Sequence, residues 1–311
     1  MPLFRNILVS IDSRFEQHPA LDWALSLAEQ GQTKIAVVDV QRELSWPVRL
    51  ALRDYEYVRE RDLETSREKL EKLALPLGER GFDVSSRVLS GTTSIEIIRE
   101  VLRTEHDLVI RVSKGMNSRR IGFFGSTTMR LFRKCPCPVL AVNPESNPKF
   151  QRLMATVDPV PGDEDHARLN SKIMTLARSM CEPGKQRLMV VHAWTTFGES
   201  VLRSRLSPDE FREHMQVART KVESAYGSLL ESYGLSLTSN DVHLLKGEAE
   251  LVIPAFAQQQ QVDVIVMGTV ARTGVSGLIM GNTAEKILGS VQCSVLAVKP
   301  NGFVSPVQLD D

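Results

Sequence analysis

The sequence predicts an α/β fold built twice, as two tandem copies of one domain whose parallel sheet is covered by helices on both faces. Three observations predict it. The chain aligns with itself, the aligned blocks are short runs rich in Val and Ile, and the stretches between them carry helical spacing. With 311 residues the chain suits two domains of ordinary size better than one.

The ends of the two copies match most clearly. Cys137-Pro138-Val139-Leu140-Ala141-Val142-Asn143-Pro144 answers Cys293-Ser294-Val295-Leu296-Ala297-Val298-Lys299-Pro300, and 293 minus 137 sets the shift at 156 residues. At that shift Leu108-Val109-Ile110 falls on Val264-Ile265-Val266, Gly91 on Gly247 and Gly125 on Gly281. Near the N-terminus Ile7 to Asp12 answers Leu153 to Asp158 at a shift of 146, so insertions lie between the strands. Two prolines among polar neighbours at Asn143 to Pro148 punctuate the chain, which predicts domains over 1–146 and 147–311.

Each copy then reads in order. A first apolar strand ends in Asp12 or Asp158, and a helix follows, marked in the first copy by Ala20, Ala24, Leu27 and Ala28 on one stripe. A second strand covers Ile35 to Val40 or Leu188 to His192. The charged stretch Arg53 to Lys72, with Tyr55, Leu63, Leu70 and Leu73 apolar, reads as a solvated amphipathic helix. A third strand precedes a helix at Ile97, Ile98, Val101 and Leu102, where Thr93 and Glu96 have capping-box spacing. A fourth strand, a long loop, a helix and a fifth strand complete each copy. The strand runs lack polar alternation, as expected when both faces of a parallel sheet are buried.

Bulk properties narrow the function. Lys and Arg total 38 and Asp and Glu total 38, so global charge recruits neither nucleic acid nor anionic lipid. The start MPLFRNILVSID lacks the layout of a signal peptide and no apolar run is long enough for a membrane span, which predicts a cytoplasmic protein. Cysteines at 135, 137, 181 and 293 are too few for a disulfide framework, and Cys135-Pro136-Cys137, with no clustered histidine, reads as core packing rather than a metal site.

The loop after the fourth strand holds the chemistry. It reads Val112-Ser113-Lys114-Gly115, nine residues, Gly125-Ser126-Thr127 in the first copy, and Gly268-Thr269-Val270-Ala271, nine residues, Gly281-Asn282-Thr283 in the second. Glycines there let backbone amides approach phosphate oxygens, and a helix opening at the later glycine offers free N–H groups and its positive dipole end. On these residues the chain resembles the tandem universal stress protein family, whose nucleotide-binding members carry G-x-x-G, nine residues, then G-[ST].

The resemblance implies a doubly wound, HUP/Rossmann-like five-stranded parallel sheet of order 3-2-1-4-5 in each copy, with the ligand crevice between the first and fourth strands. It implies a non-catalytic stress-response protein with ATP as the candidate ligand. Candidate contacts are Asp12, Ser13, Val40, Gly115, Gly125, Ser126 and Thr127 in the first copy, and Asp158, Gly268, Arg272, Gly281, Asn282 and Thr283 in the second. It further implies that Val139 to Val142 and Val295 to Val298 pair within one chain as a pseudo-dimer, and it allows a homodimer of chains.

Both copies depart from the motif. Val112 replaces the first glycine of one loop, and Ala271 and Asn282 replace the second glycine and the hydroxyl residue of the other. Asn282 suits an N-cap without any ligand. Sterically the second copy is favoured, whereas Arg111, Lys114, Arg119 and Arg120 favour the first, against Arg272 alone in the second. The alternative is an interaction module whose degenerate pockets bind no nucleotide or a different small ligand. An enzyme is the weakest reading: Asp12-Ser13-Arg14 stands where related ATP-pyrophosphatases carry S-G-G-x-D-S, and histidines 18, 106, 166, 192, 214 and 243 gather no ligand set. His192 reads as a packed residue at a strand end, and Ser207-Pro208-Asp209-Glu210 as a helix start.

Overall fold

The computed structural model describes residues 2–42, 55–114, 124–196, 198–270 and 280–309. The first half runs β1 (Asn6–Ile11), α1 (Pro19–Leu27), β2 (Lys34–Gln41), α2 (Tyr55–Glu79), β3 (Asp83–Ser90), α3 (Thr93–Thr104), β4 (Leu108–Val112), α4 (Ser126–Lys134) and β5 (Val139–Val142). The second runs β6 (Arg152–Thr156), α5 (Glu164–Met180), β7 (Arg187–Trp194), α6 (Glu199–Arg205), α7 (Pro208–Glu231), β8 (Val242–Lys246), α8 (Ala249–Gln259), β9 (Val264–Gly268), α9 (Asn282–Ser290) and β10 (Ser294–Val298).

The strands form one ten-stranded sheet of order β3-β2-β1-β4-β5-β10-β9-β6-β7-β8. Each half has the doubly wound order 3-2-1-4-5 with parallel neighbours. The halves meet where β5 and β10 pair antiparallel, Leu140 opposite Leu296 and Val139 opposite Ala297. Strand residues alternate between two apolar layers, so Ile7, Val9 and Ile11 pack with α1 and α2 residues such as Trp23 and Leu70. Leu8 faces the other layer, with Ile97 and Ile98 of α3 and Phe132 of α4. Both layers continue across the β5–β10 seam into the second half. Burial of a large aliphatic side chain is worth about 1.5–3 kcal/mol, so strands buried on both faces need no intrinsic propensity beyond their Val and Ile content.

Local chemistry explains the boundaries. Gly91 and Gly247, aligned by the repeat, both follow a third strand at φ +139° and +138°, and a Cβ at either would meet Glu96 or Val252 within 3.0 Å. Only glycine fits that turn. The capping box expected from Thr93 and Glu96 does not form: Thr92 is the N-cap of α3 without a side-chain bond, and Glu96 pairs with Arg99 at 2.8 Å. The box forms instead at Ser207 and Glu210, opening α7. The α1 stripe also differs, since Leu21 and Trp23 are buried beside Ala20 and Ala24, and Trp23 stacks on Phe150 of the connection between halves, centroids 5.7 Å apart. Among the described residues no helix is long and apolar enough to cross a membrane.

Candidate functional site

In the first half the crevice opens where the carboxyl ends of β1 and β4 lie side by side, Ser10 opposite Arg111. Asp12, just past β1, is gripped by Arg14, whose Nε donates to Oδ1 at 2.8 Å and whose Nη2 donates to Oδ2 at 2.5 Å. Burial works to raise the Asp12 pKa, but the hydrogen bonds and charge of Arg14 outweigh it and hold the carboxyl below its usual range. Its expected contact with a ligand base therefore competes with an ion pair.

Ser13 differs more from expectation. Its hydroxyl donates to Asp39 Oδ2 at 2.5 Å and its backbone N–H to the same oxygen at 3.2 Å, while Gln41 Nε2 donates to Asp39 and to Ser66 of α2. Both donors of Ser13 hold the β1–α1 turn against β2, which removes it as a donor to a ligand. Val40 has its side chain in the core, leaving only its backbone as a contact.

The β4 end of this crevice is basic. Arg111 sends Nε to the Val112 carbonyl at 3.3 Å, and its enclosed Nη1 has no hydrogen-bond partner among the described residues. Burial, with the nearby charge of Arg42, lowers the Arg111 pKa to about 10, so the group stays a cation at neutral pH. An enclosed guanidinium nitrogen without an acceptor is costly unless an anion completes it. Against the residues that follow β4, Gly125 is the N-cap of α4 and supplies no side-chain acceptor. Gly125 N–H donates to the Ser113 carbonyl at 2.9 Å, and Thr128 Oγ1 donates to the same oxygen at 3.0 Å, which fixes the helix start against β4. Ser126 and Thr127 form its first turn, half-buried at the crevice. Gly115, Arg119 and Arg120 lie outside the described residues.

The second half is built alike and filled differently. Asp158 follows β6 and locks to α5, its N–H donating to Asn170 Oδ1 at 2.9 Å and its carbonyl accepting from Asn170 Nδ2 at 3.0 Å. His166 stands between acids, Nδ1 2.9 Å from Asp163 Oδ2 and Nε2 3.9 Å from Asp158 Oδ2. A Cβ on Gly268 would come within 2.8 Å of Leu169 Cδ2 and 3.7 Å of Ile173 Cδ1. That glycine thus admits helix α5 to the strand end, not a phosphate. Asn282 is not the cap of α9 either: Gly281 is the N-cap, without a side-chain bond, and Asn282 and Thr283 are exposed in the first turn. Gly281 N–H donates to the Thr269 carbonyl at 3.1 Å, and Val270 bridges to Met280. Ala271 and Arg272 lie outside the described residues.

His192 occupies in β7 the register position of Asp39 in β2. It is buried, with Nδ1 3.0 Å from the Val157 carbonyl and the Tyr226 ring 5.5 Å away, so it packs as expected. Sequence reasoning missed the Asp39–Ser13–Gln41–Ser66 network, whose members are scattered along the chain, and a cavity of about 880 Å³ between α5 and α7, lined by Val160, Pro161, Ala167, Ser224 and Leu229. Among the described residues no group of three or more His, Cys, Asp or Glu could hold a metal ion.

Fold and crevices together define a tandem doubly wound α/β protein with a crevice at each topological switch point. The universal stress protein family model matches residues 3–143 and again 174–299, and the chain belongs to that family. Universal stress protein E of Escherichia coli K12 is 27% identical over 317 residues, covering 100% of this chain and 99% of the relative. The crystal structure of PA1789, a protein of unknown function from Pseudomonas aeruginosa PAO1, is 26% identical with a TM-score of 0.67, covering 96% of this chain and 94% of that one. A universal stress protein from Archaeoglobus fulgidus shares the fold at 16% identity and a TM-score of 0.62, covering 94% of this chain and 98% of that one.

Proposed function

We propose that the chain is a non-catalytic, cytoplasmic stress-response regulator with domains over 1–146 and 147–311, in which the first domain binds a nucleotide such as ATP and the second serves as its structural partner. The enclosed, unpartnered Nη1 of Arg111 carries this reading. The helix start at Gly125, held to Ser113 just past the same strand, has no side-chain cap. Phosphate oxygens would complete both groups, with Ser126 and Thr127 as further donors. In the second domain Leu169 covers Gly268 and acids line the entrance, which disfavours an anion there. Calorimetry of the nucleotide-free chain with ATP tests the proposal. Saturable heat that falls when Arg111 or Gly125 is replaced is the expected result, and absence of heat in the unaltered chain overturns it.

The 880 Å³ cavity between α5 and α7 favours a second reading, an interaction module that takes a different small ligand in its second domain. Mass spectrometry of whatever the denatured protein releases separates the two, because nucleotide supports the first and a non-nucleotide compound the second.

A further inference from the structure

The two sides of the β5–β10 seam should be alike if the halves were equal copies, and they are not. Applying the 156-residue shift, Cys135 corresponds to Val291, Cys137 to Cys293, Thr269 to Ser113 and Lys299 to Asn143. One side therefore carries two thiols and a lysine where the other carries one thiol and an asparagine. The turn between α4 and β5 brings Cys135 Sγ to 3.6 Å from Cys137 Sγ, with Cys135 fully buried and Cys137 at 9% exposure.

Lys299, from beyond β10, is buried at the same end of β5. Its Nζ donates to the Phe132 carbonyl at 2.5 Å and to Thr269 Oγ1 at 3.2 Å, and it lies 4.5 Å from the Phe303 ring centroid. Among the described residues no carboxylate pairs with it, which is unusual for a buried ammonium. Cys135 is near enough for its charge to act on Lys299, so two touching thiols and an ammonium without a carboxylate partner among the described residues suit a bound group of net negative charge.

We propose that Cys135 and Cys137 form a two-thiolate site for a soft monovalent metal ion, Cu(I), balanced by Lys299. Thiolates select such ions over harder ones, and a divalent tetrahedral ion would need further ligands that the described residues do not gather. On binding, Cu⁺ and two thiols give a linear bis-thiolate of charge −1 and release two protons to solvent, with no change of oxidation state. The sulfurs part slightly to admit the ion, and the complex gains a neighbouring ammonium in a region of low dielectric.

Anaerobic titration of the reduced full-length chain with Cu(I), against a chromogenic Cu(I) chelator, tests the site. One ion per chain should be held, with two sulfur neighbours at copper by X-ray absorption. Cys135→Val, which installs the residue of the opposite side, and Cys137→Ala should each lose it, whereas Cys293→Ala should keep it; circular dichroism and a cooperative melt establish that each variant folds. Lys299→Met should weaken binding tenfold or more and Lys299→Arg should restore it. The proposal is overturned if the chain holds no more copper than its Cys135→Val variant, if Cys293→Ala loses the ion, or if nitrogen and oxygen surround the copper.

Discussion

At the carboxyl end of β4 the first half places Arg111; one shift of 156 residues along the chain, the same position of β9 holds Met267, buried and apolar. Beneath them the two halves differ again, a hydrogen-bonded Asp39 in β2 against His192 packed on Tyr226 in β7. The strand order, the third-strand glycines and the loop spacing are common to both. A scaffold set by backbone and core thus persists while the side chains that line the crevices diverge.

The seam is where the halves should behave alike. Leu140 and Leu296 oppose each other there, fully buried and 1% exposed respectively. Leu140→Ala and Leu296→Ala should each cost about 2–5 kcal/mol in urea unfolding. Unequal costs would show that the second half does not lean on the seam as the first does.

The crevices should behave oppositely. Arg111→Met, which copies Met267 into the first half, should weaken ATP binding by the worth of a charged hydrogen bond, about 1.5–3 kcal/mol or roughly ten- to a hundredfold in calorimetry. Met267→Arg should confer no second site, since Leu169 still covers Gly268. Gly268→Ala should destabilise by about 1–3 kcal/mol through overpacking against Leu169, and Leu169→Ala in the same chain should recover part of it while ATP affinity stays unchanged.

The smallest expected effect is at Asp12. Its folded pKa is depressed below the usual 3.8, so its pairing stabilises the chain above that pH, and the contribution disappears as pH falls through the folded value. Asp12→Asn should therefore lower the urea midpoint slightly at pH 6 and leave it unchanged at strongly acid pH. The pair is largely exposed, with Arg14 at 78%, so the effect should stay under about 1 kcal/mol.

Much of the fold was legible in residue order. Apolar runs such as Val139 to Val142 announced the buried strands, and the turn glycines Gly91 and Gly247 announced their own alignment. Helix caps were less legible: Thr93 with Glu96 had the spacing of a capping box, yet Glu96 turned to Arg99, while Ser207 with Glu210 formed the real one. The site was legible as a loop and not as a pocket. Gly268 fits a phosphate motif on paper, and only the approach of Leu169, 99 positions earlier, shows what fills the space of its missing side chain. Ser13 fits equally well until Asp39 takes both of its donors.

By itself, then, the sequence determined the double architecture, the parallel sheets and the position of the ligand-type loops, because strand burial, helix periodicity and glycine turns depend on neighbours a few residues away. Tertiary structure decided which crevice encloses an arginine, which strand-end glycine is covered by its own helix, and which side of the seam carries two thiols and a buried lysine. Those outcomes rest on contacts between residues far apart in the chain, such as Lys299 with Phe132 and Gly268 with Leu169, whose meeting no local pattern encodes.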